Sequence, residues 1–269
     1  MYRLLALDVD GTLLNSQGEL TAPVMDALQR VCRRGVEIVI VSGRNIQGVT
    51  QVVNQLGMDL WFISSGGALI TDLRREKILG RWLINNQDAG VLVGVARQGG
   101  AGIFLETDNR LYWEGPAAYL SWLTSVVGIR IDRVDDLFPI LTEDLLKITL
   151  IMENEGLKLI EQDLRERQLS LNVTYSHPNY LEITAAGVTK GVALRRMAEF
   201  LGIPLKQVMA VGDGENDMSM FEVAGLGLAM GNAPEVVRRA ADWVVPTNDE
   251  DGLVAAIRLL EESIESHHA

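Results

Sequence analysis

Short, largely apolar runs alternate with amphipathic stretches over the first part of the chain. Arg3 to Asp8, Val36 to Val41 and Leu60 to Ser64 are rich in apolar residues, as expected for strands buried on both faces. Between them, Thr21 to Arg34 and Asn45 to Leu56 have the spacing of amphipathic helices. Buried strands that alternate with helices predict an α/β fold with a doubly wound parallel sheet.

The middle of the chain, from about Trp82 to Ala186, has a different pattern, because its strand-like runs alternate apolar and polar residues. We predict strands over four runs, Ile103 to Thr107, Lys147 to Met152, Leu171 to Ser176 and Tyr180 to Thr184. We predict helices over three others, Gln87 to Gln98, Pro116 to Val127 and Gly156 to Arg167. This composition indicates a separate α+β unit.

After Thr189 the alternation of helix and buried strand returns. A helix to Leu201 is followed by three strand-like runs, Gln207 to Val211, Leu226 to Ala229 and Trp243 to Val245, with a helix from Asn216 and a last helix from about Glu250 to Ser263. The simplest organisation is one doubly wound sheet domain built from residues 1–81 and 187–269. Residues 82–186 are then an inserted α+β domain.

The net charge of the chain makes some classes of binding partner unfavourable. The 269 residues carry a formal net charge of −12, with a sequence pI of about 4.8. A field of this sign repels nucleic acid and anionic lipid, so we expect neither as a partner. No segment approaches the roughly 20 apolar residues that span a bilayer, and Asp8 and Asp10 interrupt the apolar start, so we expect a cytoplasmic protein.

The single cysteine, Cys32, lies in the amphipathic stretch from Val24 to Arg34. One thiol cannot form an internal disulfide or a zinc site of several thiolates. We expect Cys32 to be a buried or half-buried structural residue. The sequence does not indicate the oligomeric state.

Asp8 and Asp10 follow the first predicted strand, in Asp8-Val9-Asp10-Gly11-Thr12. In open parallel sheets, ligands bind beyond the carboxyl ends of the strands, so these carboxylates lie where a site is expected. Two carboxylates so close together repel each other unless a cation or a proton compensates. The structural alternative is a surface Asp-Gly turn.

Two further clusters offer groups that bind anions. Ser42 and Gly43 follow the second predicted strand, where a hydroxyl and the N–H groups at a helix start can hold phosphate. Lys190 opens a predicted helix, where the macrodipole favours acidic residues, and an anion in front of the helix would remove that conflict. Taken singly, Ser42 and Gly43 are better explained as a helix cap beside a turn glycine, and Lys190 is a weak signal because surface lysines are common.

The last cluster, Gly212-Asp213-Gly214-Glu215-Asn216-Asp217, follows the strand predicted to end at Val211. Acidic side chains in a glycine-flanked turn are suited to oxygen ligation of a hard divalent cation, and Mg²⁺ fits because it combines few carboxylates with water and phosphate oxygens. An acidic helix N-terminus is the structural alternative. All four clusters follow strands or open helices of the same sheet, so we expect them to converge on one site for phosphoryl transfer.

In this order, the four clusters resemble the motifs of the haloacid dehalogenase-like superfamily over essentially the whole chain. The arrangement is most similar to the Cof-type sugar-phosphate phosphatases, which insert a large α/β cap between the second and third motifs. Two further stretches fit that group, Ala229-Met230-Gly231-Asn232-Ala233 and Asn248-Asp249-Glu250-Asp251-Gly252. The resemblance implies a Rossmann-like core with a substrate-specificity cap and a Mg²⁺-dependent phosphatase of small phosphorylated metabolites.

The resemblance also implies roles for individual residues. Asp8 would be the nucleophile that forms a phospho-aspartate, and Asp10 the general acid/base. The phosphate would be held by Ser42, Gly43, Lys190 and Asn216. Mg²⁺ would be bound by Asp8, the backbone carbonyl of Asp10 and Asp213. Asp217 would support the metal indirectly, through the residues that bind it.

The chain departs from the family pattern at Ser64-Ser65-Gly66-Gly67-Ala68, where Cof-type proteins usually carry Asn-Gly. Gly66 replaces that amide, so we leave this run outside the predicted site.

Two other functions stay open. A phosphomutase, or a dedicated biosynthetic sugar-phosphate phosphatase, could use the same residues with a related cap. A catalytically silent sugar-phosphate-binding protein is expected to have lost Asp8, Asp10 or Lys190, and all three are present.

The cap is expected to set substrate specificity because it can cover the site. Its candidate inward-pointing residues are Arg110, Tyr112, Lys147, His177 and Tyr180. The sequence does not identify the metabolite.

Overall fold

The structure, a computed structural model, describes residues 1–72, 77–108, 110–120 and 130–268. The strands are β1 Leu4–Leu7, β2 Glu37–Val41, β3 Trp61–Ser64, β4 Leu69–Asp72, β5 Ile78–Arg81, β6 Gly102–Thr107, β7 Leu111–Glu114, β8 Asp132–Arg133, β9 Leu145–Ile151, β10 Leu171–His177, β11 Tyr180–Ala185, β12 Val208–Gly212, β13 Leu226–Ala229 and β14 Trp243–Val244. The helices are α1 Ala22–Arg33, α2 Ile46–Leu56, α3 Asn86–Gly99, α4 Asn154–Glu166, α5 Lys190–Phe200, α6 Met218–Val223, α7 Glu235–Ala240 and α8 Gly252–His268.

The first sheet has eight strands in the order β14-β13-β12-β1-β2-β3-β4-β5. From β14 to β3 the neighbours pair in parallel, with β1 between β12 and β2. The predicted α/β class with a doubly wound parallel sheet is confirmed. The antiparallel strands β4 and β5 extend one edge of it and were not predicted.

Helices cover both faces of this sheet. Leu5 and Leu7 pack with α1, α2 and α8 on one face, and Leu4 and Ala6 pack with α5, α6 and α7 on the other. Since successive side chains of a strand point to opposite faces, a strand buried on both sides must be apolar throughout. This burial holds the carboxyl ends of the strands in fixed positions.

The second sheet has six strands in the order β10-β11-β9-β6-β7-β8. Its pairs are antiparallel except β7 with β8. One face packs on α3 and α4 through alternate residues such as Ile103, Leu105 and Ile148. We call the unit that contains this sheet the cap and the unit that contains the first sheet the core. The boundaries after residues 81 and 186 stay a prediction.

The bounds of most predicted elements lie within a few residues of those observed. The predicted helix from Pro116 to Val127 is described only at residues 117–120, which are helical, and its remainder lies outside the described residues. Within the described ranges, no helix is both long and apolar enough to cross a membrane.

The prediction for Cys32 is wrong, because its side chain is exposed. The buried residues of α1 are Val24, Ala27, Leu28 and Val31, which form one helical stripe. Cys32 follows that stripe by one residue, and a single step of about 100° turns the side chain away from the core.

Candidate active site

The predicted site residues lie at the carboxyl-terminal edge of the core sheet. Asp8 directly follows β1, Ser42 follows β2 and Asp213 follows β12. Because β1 pairs in parallel with both β2 and β12, these three residues leave the sheet at the same edge. Lys190 is the first residue of α5, whose N-terminus faces this edge.

Lys190 joins the first and last motifs. It is 2% exposed, and its Nζ lies 2.6 Å from Asp8 Oδ1 and 2.6 Å from Asp217 Oδ1. Burial by itself would lower the pKa of this ammonium group, but the negative charges of Asp217 and Asp8 outweigh burial and raise the pKa. Lys190 is therefore a fixed positive charge between two buried carboxylates.

Asp8, Asp213 and Asp217 form a compact group of carboxylates. One oxygen atom from each lies within 4.8 Å of the others. Burial, followed by the charge of Asp217, raises the pKa of Asp8 well above its usual value and that of Asp213 to about 7. One ammonium group does not balance three carboxylates, and oxygen ligands of this kind fit a hard divalent cation such as Mg²⁺.

Asp217 has a supporting position within this group. Its Oδ2 accepts the backbone N–H groups of Asp213 (3.0 Å) and Gly214 (2.8 Å), while its Oδ1 accepts Lys190. Both oxygens therefore already have partners in the protein. Asp217 shapes the turn that carries Asp213.

The side chain of Asp213 is held by residues from two other loops. Its Oδ1 accepts the hydroxyl of Thr12 at 3.4 Å, and its Oδ2 accepts the Asn232 amide at 3.1 Å. The same Asn232 amide donates to the carbonyl of Gly11 at 2.9 Å, and its Oδ1 accepts the backbone N–H of Asn248 at 3.0 Å. We did not predict Asn232 as a site residue, although it lies in one of the two stretches that fit the family.

Gly11 is required by the close approach of Asp213. Its φ is +78°, and a Cβ added there would lie 2.2 Å from Asp213 Oδ2. Any other residue would displace the carboxylate and would adopt a left-handed backbone conformation that disfavours side chains.

Asp10 turns away from Lys190 and pairs with Arg44. The guanidinium donates two hydrogen bonds to it, from Nε to Oδ2 at 2.8 Å and from Nη2 to Oδ1 at 2.6 Å. Burial would lower the pKa of Arg44, but the hydrogen bond to Asp10 and the negative charges of Asp10 and Asp8 together raise it. We did not predict a role for Arg44, although it directly follows the predicted pair Ser42 and Gly43.

Two of the three remaining predicted residues line the same cavity, of about 360 Å³, as Asp8 and Lys190. Gly43 and Asn216 contribute to its wall. Ser42 is buried and its Oγ accepts the backbone N–H of Arg44 at 3.0 Å, and it is not among the described residues that line the cavity. The structure thus brings all predicted residues except Ser42 to one cavity wall.

The cap forms the opposite wall of this cavity. Lys147, His177 and Tyr180 line it, as predicted, together with Glu106 and Glu182, which we did not predict. The prediction that Arg110 and Tyr112 point into the site is wrong. Tyr112 pairs with Leu105 across the cap sheet and belongs to the helix-covered face, and Arg110 is exposed beside it.

The run that departs from the family pattern reaches the cap. The Ser65 hydroxyl donates to Glu106 Oε1, and the Ser65 backbone N–H donates to the carbonyl of Arg44 at 2.8 Å. Ser65 adopts a φ of 53°, which is uncommon for a residue other than glycine. The segment around Gly66 therefore connects the cap to the loop from Ser42 to Arg44, which we call the phosphate loop after its predicted role.

Comparisons with known proteins agree over almost the whole chain. A family model described as haloacid dehalogenase-like hydrolase matches residues 5–257. A putative phosphatase of Haemophilus influenzae is 32% identical over 97% of this chain and 98% of its own. A 5-amino-6-(5-phospho-D-ribitylamino)uracil phosphatase of Bacillus subtilis is 29% identical over 95% of this chain and 94% of its own.

A solved structure has the same architecture. The crystal structure of a haloacid dehalogenase-like hydrolase from Bacteroides thetaiotaomicron superposes with a TM-score of 0.86 and 31% identity. The match covers 97% of this chain and 100% of that one.

Proposed function

The chain belongs to the haloacid dehalogenase-like hydrolases and is a phosphatase, and from that premise we propose that it hydrolyses phosphate monoesters of small metabolites through a phospho-aspartate on Asp8. Mg²⁺ is the proposed cofactor, and a cytoplasmic location stays a prediction. The observation that carries this proposal is the contact of Lys190 with both Asp8 and Asp217, at 2.6 Å each, in a cavity wall formed by the predicted motifs.

The first half of the proposed reaction transfers the phosphoryl group to the protein. The Asp8 carboxylate and a phosphate are both anions and repel each other, and the Lys190 ammonium bonded to Asp8 reduces that repulsion. An Asp8 oxygen forms a bond to phosphorus while the bond from phosphorus to the leaving-group oxygen breaks. Asp10 gives that oxygen a proton, so the leaving group departs as an alcohol.

The second half releases phosphate. Asp10, now ionised, takes a proton from a water molecule, whose oxygen attacks the phosphorus of the phospho-aspartate. The bond between phosphorus and Asp8 breaks, which regenerates the Asp8 carboxylate and leaves Asp10 protonated for the next turnover. Asp10 must leave its two hydrogen bonds with Arg44 to give or take these protons, since both of its oxygens accept from the guanidinium.

The residues present fit a Mg²⁺ ion. Asp8 and Asp213 would bind it together with the backbone carbonyl of Asp10, and Asp217 would hold the turn of Asp213 in place. When bound, the cation supplies positive charge that neutralises the phosphate oxygens in the transition state.

Replacement of the nucleophile tests the proposal. Asp8→Asn keeps the size of the side chain and removes its nucleophilic charge, so we expect kcat on p-nitrophenyl phosphate to fall by about 10⁴-fold or more. Asp26→Asn on the exposed face of α1 is the matched control and should retain full activity. Asp8→Asn that folds and keeps more than about a tenth of the activity would assign the nucleophile to another residue.

A further inference from the structure

The face of the cap sheet that looks onto the cavity carries a charged cluster. Alternation along the strands places Ile103, Leu105, Ile148 and Ile183 against the cap helices, and it turns the intervening residues towards the core. Among those, Glu106 on β6, Lys147 on β9 and Glu182 on β11 line the cavity. Glu106 and Lys147 are direct partners across the two strands.

Lys147 connects this cluster to the phosphate loop. Its Nζ donates to the carbonyl oxygen of Gly43 and lies 3.3 Å from Glu182 Oε1. The Ser176 hydroxyl donates to the same Glu182 oxygen at 3.0 Å. On the other side, the Ser65 hydroxyl donates to Glu106 Oε1. One oxygen of each glutamate is therefore fixed by the protein.

The second oxygen of each glutamate has no partner within the described part of the chain. Glu106 Oε2 and Glu182 Oε2 are both buried without a hydrogen bond, on side chains of residues that are 1% and 7% exposed. A buried acceptor without a donor destabilises a protein by roughly 1–3 kcal/mol, so such atoms are rare unless a ligand or water supplies the donor. Here both belong to residues that line the cavity in which the phosphate is transferred.

We propose that Glu106 and Glu182 select the leaving group of the substrate, by accepting hydrogen bonds from its hydroxyl groups and by repelling a leaving group that carries a second anionic group. This inference rests on the proposed phosphatase function. The two residues determine specificity and take no part in the chemistry at phosphorus, which belongs to the core wall.

The rest of the cap wall suits a carbon skeleton with hydroxyl groups. Phe104, Ile151 and Tyr180 line the same cavity and offer apolar contact beside the two carboxylates. Lys147 already balances one of the two negative charges, so neutral hydroxyl donors are sufficient for the free oxygens. A second phosphate or a carboxylate would instead place an anion against a pair of carboxylates that keeps one uncompensated negative charge.

The experiment compares three substrates. Sorbitol phosphate and phosphogluconate differ only in a terminal hydroxymethyl group or a carboxylate, and p-nitrophenyl phosphate offers no hydroxyl group in its leaving group. We would measure kcat/KM at about pH 8, above the raised pKa of Glu106, for the wild type, Glu106→Gln, Glu182→Gln and the control Glu155→Gln. Glu155 lies exposed in the first turn of α4, so its substitution makes the same charge change away from the cavity.

We expect the wild type to prefer sorbitol phosphate to phosphogluconate by about tenfold or more. Glu106→Gln and Glu182→Gln should each lower the ratio of kcat/KM for sorbitol phosphate over phosphogluconate by about tenfold, because the amide does not repel the carboxylate of phosphogluconate. The ratio for sorbitol phosphate over p-nitrophenyl phosphate should fall as well. Glu155→Gln should leave both ratios as they are in the wild type.

The outcomes separate the two proposals. A wild type that hydrolyses none of the three esters contradicts the proposed function. A wild type that hydrolyses them, with glutamine variants that change all three rates by the same factor, contradicts only the selection by Glu106 and Glu182, since a purely structural role lowers every rate alike. The two variants are independent, so failure of one to fold leaves the other as the test.

Discussion

The two walls of the cavity differ in how completely hydrogen bonds within the protein occupy their carboxylate oxygens. On the core wall, Lys190 bonds to Asp8 and Asp217, both oxygens of Asp217 have partners, and Arg44 holds both oxygens of Asp10. On the cap wall, Glu106 and Glu182 each keep a buried oxygen without a partner among the described residues. From this difference we infer that the core wall is organised before the substrate binds, whereas hydrogen bonds from the leaving group complete the cap wall.

This contrast gives the predictions a common form. A change on the core wall should lower the hydrolysis of every phosphate ester by a similar factor, because the transferred group is always the same. A change on the cap wall should alter the ratios between esters. Measurements on at least two esters therefore distinguish the walls.

Removal of the divalent cation should have the largest effect. Asp8 and Asp213 lie together with only one neighbouring ammonium group, so without a cation their charge opposes an incoming phosphate. We expect a chelator to lower kcat/KM for sorbitol phosphate and for p-nitrophenyl phosphate alike by about 10³-fold or more, and Mg²⁺ to restore both. Activity that does not respond to the chelator would remove the metal from the mechanism.

Loss of the buried ammonium group comes next. Lys190→Gln removes the positive charge between Asp8 and Asp217, so kcat should fall by about 10²–10³-fold on both esters. The control Lys158→Gln removes an exposed cap lysine and should leave kcat as it is. A change in the ratio between the esters, with kcat on p-nitrophenyl phosphate retained, would place Lys190 in substrate selection.

Asn232 should affect the metal more than the chemistry. Asn232→Ala removes the amide that orients Asp213 and joins it to Gly11, so the apparent dissociation constant for Mg²⁺ should rise by about 10–100-fold. Titration of activity with Mg²⁺ measures this constant, and saturating Mg²⁺ should restore most of the rate. Asn54→Ala, on the exposed face of α2, is the control. An unchanged constant would mean that Thr12 alone holds Asp213.

Glu106 should make stability depend on pH. Burial, opposed in part by the charge of Lys147, raises the pKa of Glu106 from 4.5 to about 7. Because the folded pKa is the higher one, the folded state keeps a proton that the unfolded chain has lost. The contribution of Glu106 to stability therefore falls as pH rises from about 4.5 to about 7, and the full penalty remains above that range.

Glu106→Gln removes this penalty. We expect the variant to gain stability over the wild type by roughly 1–3 kcal/mol more at about pH 8 than at about pH 5. Denaturant unfolding at the two pH values measures the difference, and Glu155→Gln serves as the control. An equal change at both pH values would contradict a buried, protonated Glu106.

Cys32 should have the smallest effect. The thiol is exposed on α1, away from both walls, so Cys32→Ser should change the free energy of unfolding by no more than about 0.5 kcal/mol. A thiol reagent should label Cys32 in the folded protein, and activity should persist after labelling. Protection of Cys32 from the reagent would contradict its exposure and would mean that it lies on the buried face of α1.

The core could be predicted from the sequence further than the cap. Buried parallel strands are apolar throughout and end in the polar residues that carry the chemistry, so Asp8, Lys190 and Asp213 could be placed at one edge from their order along the chain. Asn232 lies in a stretch that fits the family, but its role could not be predicted from the residues themselves, because an amide that acts through another residue has no pattern of its own.

The positions of the cap side chains relative to one another could not be predicted from the sequence. Lys147 and Glu106 stand on neighbouring strands, and only the register of β6 with β9 makes them partners. Tyr112 was assigned to the wrong face because its strand, β7, was not predicted, and without the strand its alternation could not be used. The pairing of Asp10 with Arg44 depends on side-chain direction, which the sequence does not specify.

The stereochemical course at phosphorus tests the central claim most directly. A phosphorothioate ester made chiral at phosphorus by its sulfur and two different oxygen isotopes would be hydrolysed in water that carries the third isotope, and the configuration of the released thiophosphate determined. Transfer first to Asp8 and then to water inverts phosphorus twice, so the account predicts overall retention. Overall inversion would mean that water attacks the ester directly, and it would contradict a phospho-aspartate on Asp8.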